Sequence, residues 1–313
     1  MKAVILGGAG FLGSLIAEEF VKRGYETTII DGLLPRTGGN KKNLGSIIDR
    51  IDFIPVRLEE VKNLHEIIAS SDVLISSMAW TSHLEAMQDP EYDIELNLRS
   101  HVHLIRELSI NTKVIFLGSR SQFGDVPGPI LEDSLMFPID VQGINKVAAE
   151  SYYRVFSQKK GFHVASFRIP NCFGEHQPVT GKDIGLIGGI IRDILNKKDV
   201  IVYGRDRKRN IIYGRDCARI ICDFAEKDFY GYNPFNIRGD TFLIQDLCKL
   251  IINLVGEGSY IVEDIPTEIK SIDVGNIPMD ESRLQTTLGN YNYTSITESL
   301  GTTIDYFKKE LRL

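Results

Sequence analysis

The chain has 313 residues and carries 36 Lys and Arg against 42 Asp and Glu, a net charge of −6. At roughly 150 residues per domain that length suggests about two domains, and 43% hydrophobic with 25% charged residues is the make-up of an ordinary folded chain with a substantial core. The acidic balance argues against nucleic-acid binding, which needs clustered Lys and Arg, and no apolar run approaches the roughly eighteen residues of a membrane span.

The opening MKAVILGGAG is interrupted by glycines and reads as a first strand, not a signal peptide. Cys172, Cys217, Cys222 and Cys248 have neither metal-type spacing nor the number for a disulfide framework, so a soluble, reduced, cytoplasmic protein is expected. Residues 2–6, 27–30, 52–56, 73–76, 113–117 and 164–169 are short, apolar and β-branched, as buried parallel strands are. Between them, Phe11, Leu12, Leu15, Ile16 and Phe20 recur at helical spacing, with Gly24 as a stop. Ile94, Leu98, His101, Ile105 and Leu108 make a second stripe. Strand-helix alternation predicts an α/β fold, a Rossmann-type doubly wound parallel sheet. Beyond residue 170 the pattern loosens into a helix near 183–196, a strand at 200–204, and helices from Asp216, at 243–255 and near 295–310. The expected division is a dinucleotide-binding domain over 1–170, with some returning segments, and a smaller lobe over 171–313.

Gly7-Gly8-Ala9-Gly10-Phe11-Leu12-Gly13 follows the first strand and opens the first helix. Gly7 permits a tight turn, Gly10 lets the backbone approach a pyrophosphate, and Gly13 permits close packing of helix on strand. The helix N-terminus offers free N–H groups and a positive dipole end to the phosphates. Asp31 ends the second strand, eighteen residues past Gly13. An acid there accepts from both ribose hydroxyls and repels a 2′-phosphate, which favours NAD over NADP, although Arg36 lies close by in sequence.

The spacing GGAGFLG, with ELNLRSHVHLI, IFLGSRSQFG, RIPNCFGEHQP, VYGRDRKRNIIYGRD, FNIRGD and DESRLQTTLG, resembles the extended short-chain dehydrogenase/reductase family of nucleotide-sugar epimerases and dehydratases over nearly the whole chain. The resemblance implies that Phe11, Leu12, Leu58, Ala79 and Asn97 accompany the glycines and Asp31 around NAD. It implies that Ser119 hydrogen-bonds the reacting sugar oxygen, that Trp80 and Asn171 face the sugar nucleotide, and that Arg209 grips a phosphate. It also implies a homodimer built from the stripe at 92–108 and a helix at 141–157.

The chain departs from the family pattern where the chemistry is done. The catalytic Tyr-x-x-x-Lys should fall in DVQGINKVAAE, where Lys146 is present but Gln142 holds the Tyr position. Arg57 replaces an Asp that contacts adenine in many relatives, Arg120 and Ser121 replace the Asp-Glu pair of 4,6-dehydratases, and Glu175 replaces a Pro. An amide does not titrate near neutrality, and loss of a positioned base costs about 10²–10⁴ in rate. Lys146, four residues on and on the same helix face, is the candidate replacement base, with Gln142 donating to the keto oxygen; a lysine that only holds the nicotinamide ribose is the alternative. Glu175 and His176 are further candidates, and Cys172 reads as a buried thiol. No His pair has metal-ligand spacing. The expected function is NAD-dependent conversion of a nucleotide sugar through a transient ketone, at C4 of the ring. The alternatives are a catalytically degenerate binding protein or a ketoreductase.

Overall fold

The computed structural model describes residues 1–313 apart from positions 127, 182, 183, 274, 276 and 277. The six apolar segments form strands β1 (Lys2–Leu6), β2 (Glu26–Ile30), β3 (Ile51–Ile54), β4 (Val73–Ser76), β5 (Lys113–Ser119) and β6 (His163–Ile169). Among them run helices α1 (Phe11–Lys22), α2 (Leu64–Ala69), α3 (His83–Gln88), α4 (Pro90–Ile94), α5 (Ser100–Glu107) and α6 (Val141–Lys160). The second half begins with β7 (Asn171–Phe173), α7 (Leu186–Leu195), β8 (Val200–Tyr203), β9 (Lys208–Tyr213) and α8 (Gly214–Ala225). It continues with β10 (Tyr232–Asn236), β11 (Asp240–Leu243), α9 (Ile244–Val255), β12 (Tyr260–Glu263), α10 (Thr267–Lys270), α11 (Ser282–Leu288) and α12 (Ile296–Leu311). The helix expected near 183–196 is α7; position 183 itself lies outside the described residues.

Seven strands pair in the order β10-β6-β5-β4-β1-β2-β3, all parallel. The chain builds outward from β1 in one direction, then crosses to β4 on its other side. The doubly wound sheet therefore has its switch point between β1 and β4, where such sheets open a crevice at their carboxyl ends. Helices cover both faces, which is why the strands read as continuous apolar runs. Ala3, Ile5, Val73, Ile75, Ile115 and Leu117 pack with α1 and α8 on one side. Their alternating neighbours Val4, Leu6, Leu74, Val114 and Phe116 pack with α5 and α6 on the other.

The second half returns to this sheet, since β10 extends its edge beside β6 and α8 lies along α1. The remainder makes two small sheets, β11-β9-β7 and β12-β8, over a separate apolar cluster that includes Ile187, Ile191, Leu247, Ile251, Ile304 and Phe307. Among the described residues no helix is long and apolar enough to cross a membrane, and no group of three metal-ligating side chains occurs.

One stripe is placed differently from its periodicity. Between α4 and α5 the chain makes a π-helical turn, Glu95–Arg99, which adds a residue to the local repeat. His101, Ile105 and Leu108 are buried as expected, but upstream of the turn Asp93 and Asn97 face inward, and Ile94 is exposed. The extra residue rotates the apolar row out of phase with the core.

Candidate active site

A cleft of about 1000 Å³ opens at the switch point and runs from the glycine loop to the second-half strands. Gly7 has φ +74°, and a Cβ there would lie 2.9 Å from the Met78 nitrogen. At Gly13 a Cβ would meet the Gly7 oxygen at 2.2 Å and Ser77 Oγ at 2.7 Å, so any side chain would push α1 off β1. Gly10 differs: a Cβ would meet only the Gly7 oxygen, at 3.3 Å, and the residue lines the cleft. A side chain there would crowd that one backbone oxygen and cover backbone that now faces the cleft. Gly10 also caps α1 with no side-chain hydrogen bond, and the first turn carries no acid, so the helix N-terminus is suited to an anion.

Asp31 lines the same end of the cleft. Its Oδ2 accepts from the Ala9 nitrogen at 2.9 Å and its Oδ1 from the Leu33 nitrogen at 2.8 Å. Each carboxylate oxygen retains a second lone pair, so these bonds aim the group without saturating it. Burial pushes its carboxyl up, against those two hydrogen bonds. Arg36 is directed elsewhere: it pairs with Asp89 at 2.6 Å and stacks over Trp80 and Tyr92. Arg57 also lines the cleft; its side chain flanks Gly32 and pairs with Glu95 at 2.7 Å. Phe11, Leu12, Leu58 and Ala79 also line the cleft.

Asn97 and Trp80 do not. Asn97 is buried in the π-helical turn, where it donates to the Trp80 carbonyl at 2.8 Å and accepts from the Trp80 nitrogen at 3.0 Å. It clamps the backbone after β4 and so positions Ala79, instead of reaching a cofactor. Trp80 is fully buried against Tyr92 and in a cluster with Ala86 and Leu96, and does not line the cleft. Its large apolar ring is satisfied by core packing, which corrects its expected place against the substrate.

The reacting end is formed by β5 and α6. Ser119 closes β5 and caps a short turn: its Oγ accepts from the Ser121 nitrogen at 3.1 Å, and its own nitrogen donates to Gln122 at 2.8 Å. Gln142 and Lys146 both lie on the inner face of α6 and line the cleft. Gln142 Nε2 donates to the Trp80 carbonyl at 2.7 Å, which leaves its second N–H for a ligand oxygen. Lys146 Nζ donates to the Leu117 carbonyl at 3.1 Å and the Met78 carbonyl at 3.4 Å. Burial brings its pKa down to about 8, with Asp93 opposing. An ammonium meets both carbonyls and keeps a third N–H for a ligand, while the neutral amine meets them with its two N–H groups and keeps its lone pair, so the geometry suits either form.

Asn171 and Arg209 line the opposite wall. Asn171 donates to the Asn210 carbonyl at 3.2 Å, and Arg209 is paired with Asp273, which also holds Arg207 at 2.6 Å. The remaining base candidates lie outside the cleft wall. Glu175 accepts from Tyr213 and Arg215, both at 2.7 Å, and although burial raises its carboxyl, those partners lower it further. His176 is bonded to Ser14 at 2.8 Å and is held low by burial. Cys172 does reach the cleft, with burial pushing its thiol up. Sequence reasoning missed one pair: His83 Nδ1 lies 2.9 Å from Asp140 Oδ2, and both line the cleft. The only trace of them is a His three residues after Trp80 and an acid at the cap position of α6.

The Lys146 shift has a testable sign. Its folded value, about 8, lies below the ordinary 10.5, so between those limits the unfolded chain binds more protons. The penalty for burying the ammonium is complete below about pH 8 and fades as pH rises towards 10.5. The difference in unfolding free energy between wild type and Lys146→Met, from urea titrations, is expected to move in favour of the wild type across that window. Parallel pH profiles would remove the buried-ammonium assignment.

Among known proteins, the chain is 27% identical over 224 residues, 69% of its length and 70% of the relative's, to a protein of Methanocaldococcus jannaschii named putative UDP-glucose 4-epimerase. It is 26% identical over 278 residues, 87% of its length and 80% of the relative's, to the UDP-N-acetyl-alpha-D-glucosaminuronate decarboxylase of Bacillus cytotoxicus. Its fold matches that of the UDP-glucuronic acid 4-epimerase of Bacillus cereus, solved with UDP-glucuronic acid and NAD, at a TM-score of 0.87 and 20% identity over 99% of this chain and 100% of that one. The profile of the NAD dependent epimerase/dehydratase family spans residues 3–237, which include the glycine loop, Asp31, Ser119, Lys146 and Asn171. With that match added to the doubly wound sheet and the cleft at its switch point, the chain belongs to the NAD dependent epimerase/dehydratase family.

Proposed function

We propose that this chain converts a nucleotide-diphosphate sugar through transient oxidation at C4 of the ring, as an epimerase or dehydratase with an altered proton-transfer group. The observation that carries the reading is the single continuous cleft. The glycine loop and Asp31 line one end, Ser119, Gln142 and Lys146 the middle, and Asn171 and Arg209 the other. NAD, when bound, supplies the hydride acceptor that makes oxidation of a ring carbon reversible. The glycine loop and α1 hold its pyrophosphate, and Asp31 takes the ribose hydroxyls. Ser119 orients the reacting oxygen, while the second Gln142 N–H and the Lys146 ammonium stabilise negative charge developing on it. Arg209 and Asn171 anchor the diphosphate, Arg209 by exchanging part of its pairing with Asp273 for phosphate oxygens.

A binding protein without turnover is the second reading, favoured by the amide at position 142. Incubation with UDP-, GDP-, dTDP- and CDP-sugars, followed by mass spectrometry and NMR, separates the two. Product from at least one nucleotide class is expected, and Arg209→Ala is expected to weaken sugar-nucleotide affinity roughly tenfold or more while NAD affinity is unchanged, as for a lost charged hydrogen bond. Binding without any product would favour the second reading.

Asp31 sets the cofactor preference. Calorimetry is expected to show tighter binding of NAD(H) than of NADP(H), with the gap narrowed in Asp31→Ala. Equal wild-type affinities would assign Arg57 as a ligand for a 2′-phosphate.

We further propose a homodimer through α6 and the stripe at 92–108. Ile144, Tyr152 and Val155 on α6 are 53%, 41% and 39% exposed, and Ile94 is 45% exposed, an apolar face beyond what a surface helix normally shows. Sedimentation velocity is expected to give a dimer for the wild type and a monomer for Ile144→Glu. A monomeric wild type at micromolar concentration would overturn this.

A further inference from the structure

His101 is a buried titratable group that the proposed function leaves unused. It stands in α5, which packs on α6, and its sequence neighbours present it only as one member of an apolar stripe. Its ring is fully buried, edge-on to Phe116 and Tyr153, and Lys146 Nζ lies 5.1 Å from the centre of the same Phe116 ring. His101 Nε2 is 3.3 Å from the Met78 carbonyl, the oxygen that Lys146 meets at 3.4 Å. His101 Nδ1 is 3.2 Å from both Ser76 Oγ and the Tyr153 hydroxyl, and Tyr153 donates to Ser76 at 3.3 Å.

These partners leave the ring one protonation state. A carbonyl only accepts, so Nε2 carries the proton and donates to Met78. Burial and the Lys146 charge hold the imidazole well below its ordinary value, so the ring is neutral and Nδ1 accepts. The Ser76 hydroxyl donates to Nδ1, and Tyr153 donates to Ser76. The donors therefore run one way, from Tyr153 through Ser76 and His101 to the Met78 carbonyl, and they end on an acceptor of Lys146.

Met78 lies two residues beyond β4, past the last ladder pair of that strand, so its carbonyl has no strand partner. Among the described residues its donors are His101 and Lys146, one for each lone pair. The tetrahedral Lys146 nitrogen is joined to its own carbon and faced by the Leu117 and Met78 carbonyls. One direction is left, a third N–H in the ammonium or the lone pair in the amine. Lys146 lines the cleft, so that direction is the one open to a ligand. We propose that His101 is a positioning residue for the reaction: it pins the Met78 carbonyl, and the pinned carbonyl sets the free direction of Lys146 Nζ.

The proposal rests on the proposed function, and its test keeps the two apart. His101→Gln keeps an N–H that reaches the Met78 carbonyl. His101→Asn keeps the polarity on a side chain too short to reach it, and His101→Phe removes the donor. In Asn and Phe variants kcat is expected to fall by about 10- to 10²-fold, the scale of a displaced catalytic group, with KM and NAD affinity nearly unchanged. His101→Gln is expected to retain most of the rate. A histidine that only packs would make the Gln and Asn variants alike, and this pair, matched by thermal melting, carries the comparison even where His101→Phe does not fold. Independently of turnover, ring nitrogen shifts of 15N-histidine-labelled protein, assigned to His101 by their loss in His101→Gln, are expected to show a neutral ring protonated on Nε2. Its N–H resonance is expected to move in Lys146→Met, because the carbonyl then serves one donor. An Nδ1-protonated ring, an N–H resonance indifferent to Lys146→Met, or an active wild type whose kcat survives His101→Asn would overturn this proposal alone. A wild type that makes no product from UDP-, GDP-, dTDP- or CDP-sugars would overturn the proposed function and this proposal together.

Discussion

The inner face of α6 is the constraint on which the site depends. Gln142, Asn145, Lys146 and Glu150 recur at helical spacing, all are polar, and all are buried. A polar stripe in a core costs free energy unless each member finds its partner, so the helix has one acceptable seat. Asn145 meets Asp93 at 2.7 Å, Lys146 meets the carbonyls of Leu117 and Met78, and Gln142 meets the carbonyl of Trp80. Glu150 pairs with Arg168 at 2.6 Å and also accepts from Gln122 and Tyr232. Removing one partner of such a buried pair typically costs about 3–5 kcal/mol, because the other charge is left without compensation. Together these contacts fix α6 against α4, the loop after β4, β5, β6 and β10.

Through those contacts the stripe orders the whole reacting end. Gln122 links Glu150 to the Ser119 nitrogen, so the hydroxyl at the end of β5 is referenced to the same helix as Gln142 and Lys146. The backbone after β4 is held from two sides, by Asn97 in the π-helical turn and by Gln142 on α6, both acting on Trp80. The fully buried Trp80 ring anchors that segment in the core. Ala79 and His83, before and after Trp80 in the chain, line the cleft on that rigid support. The π-helical turn is the local cost of that arrangement, since it turns Asp93 and Asn97 inward at the expense of the apolar row.

The opposite wall comes from the part of the chain whose sequence pattern is weakest. β9 carries Arg209, and β7 carries Asn171 next to it in the same small sheet. Asp273 gathers Arg207 and Arg209 into one cationic corner, with Arg120 from the β5 end nearby, where burial and the neighbouring Arg209 bring its pKa down to about 10. Two arginines sharing one carboxylate leave net positive charge at the cleft wall. Because β10 and α8 belong to the main sheet and its helix layer, this wall is built onto the fold and is not a tethered unit.

The sequence by itself determined the elements whose signal is local. The strands are continuous apolar runs because both faces of the sheet are covered, and the glycine loop is legible because Gly7 and Gly13 answer to steric limits within a few ångströms along the chain. Motif and position single out Asp31, Ser119, Asn171 and Arg209, and all four line the cleft. Only the tertiary structure decided what depends on long-range pairing. Asn97 clamps a loop, Trp80 fills a core, and Arg36 turns to Asp89, because each has a partner or a packing surface contributed by another segment. Glu175 and His176, adjacent to Gly174 in sequence, are drawn towards Arg215 and Ser14 and out of the cleft. His83 and Asp140 stand 57 residues apart, and neither is unusual alone. Their meeting follows from the packing of α3 on α6, a contact between distant segments that no local pattern in the chain encodes.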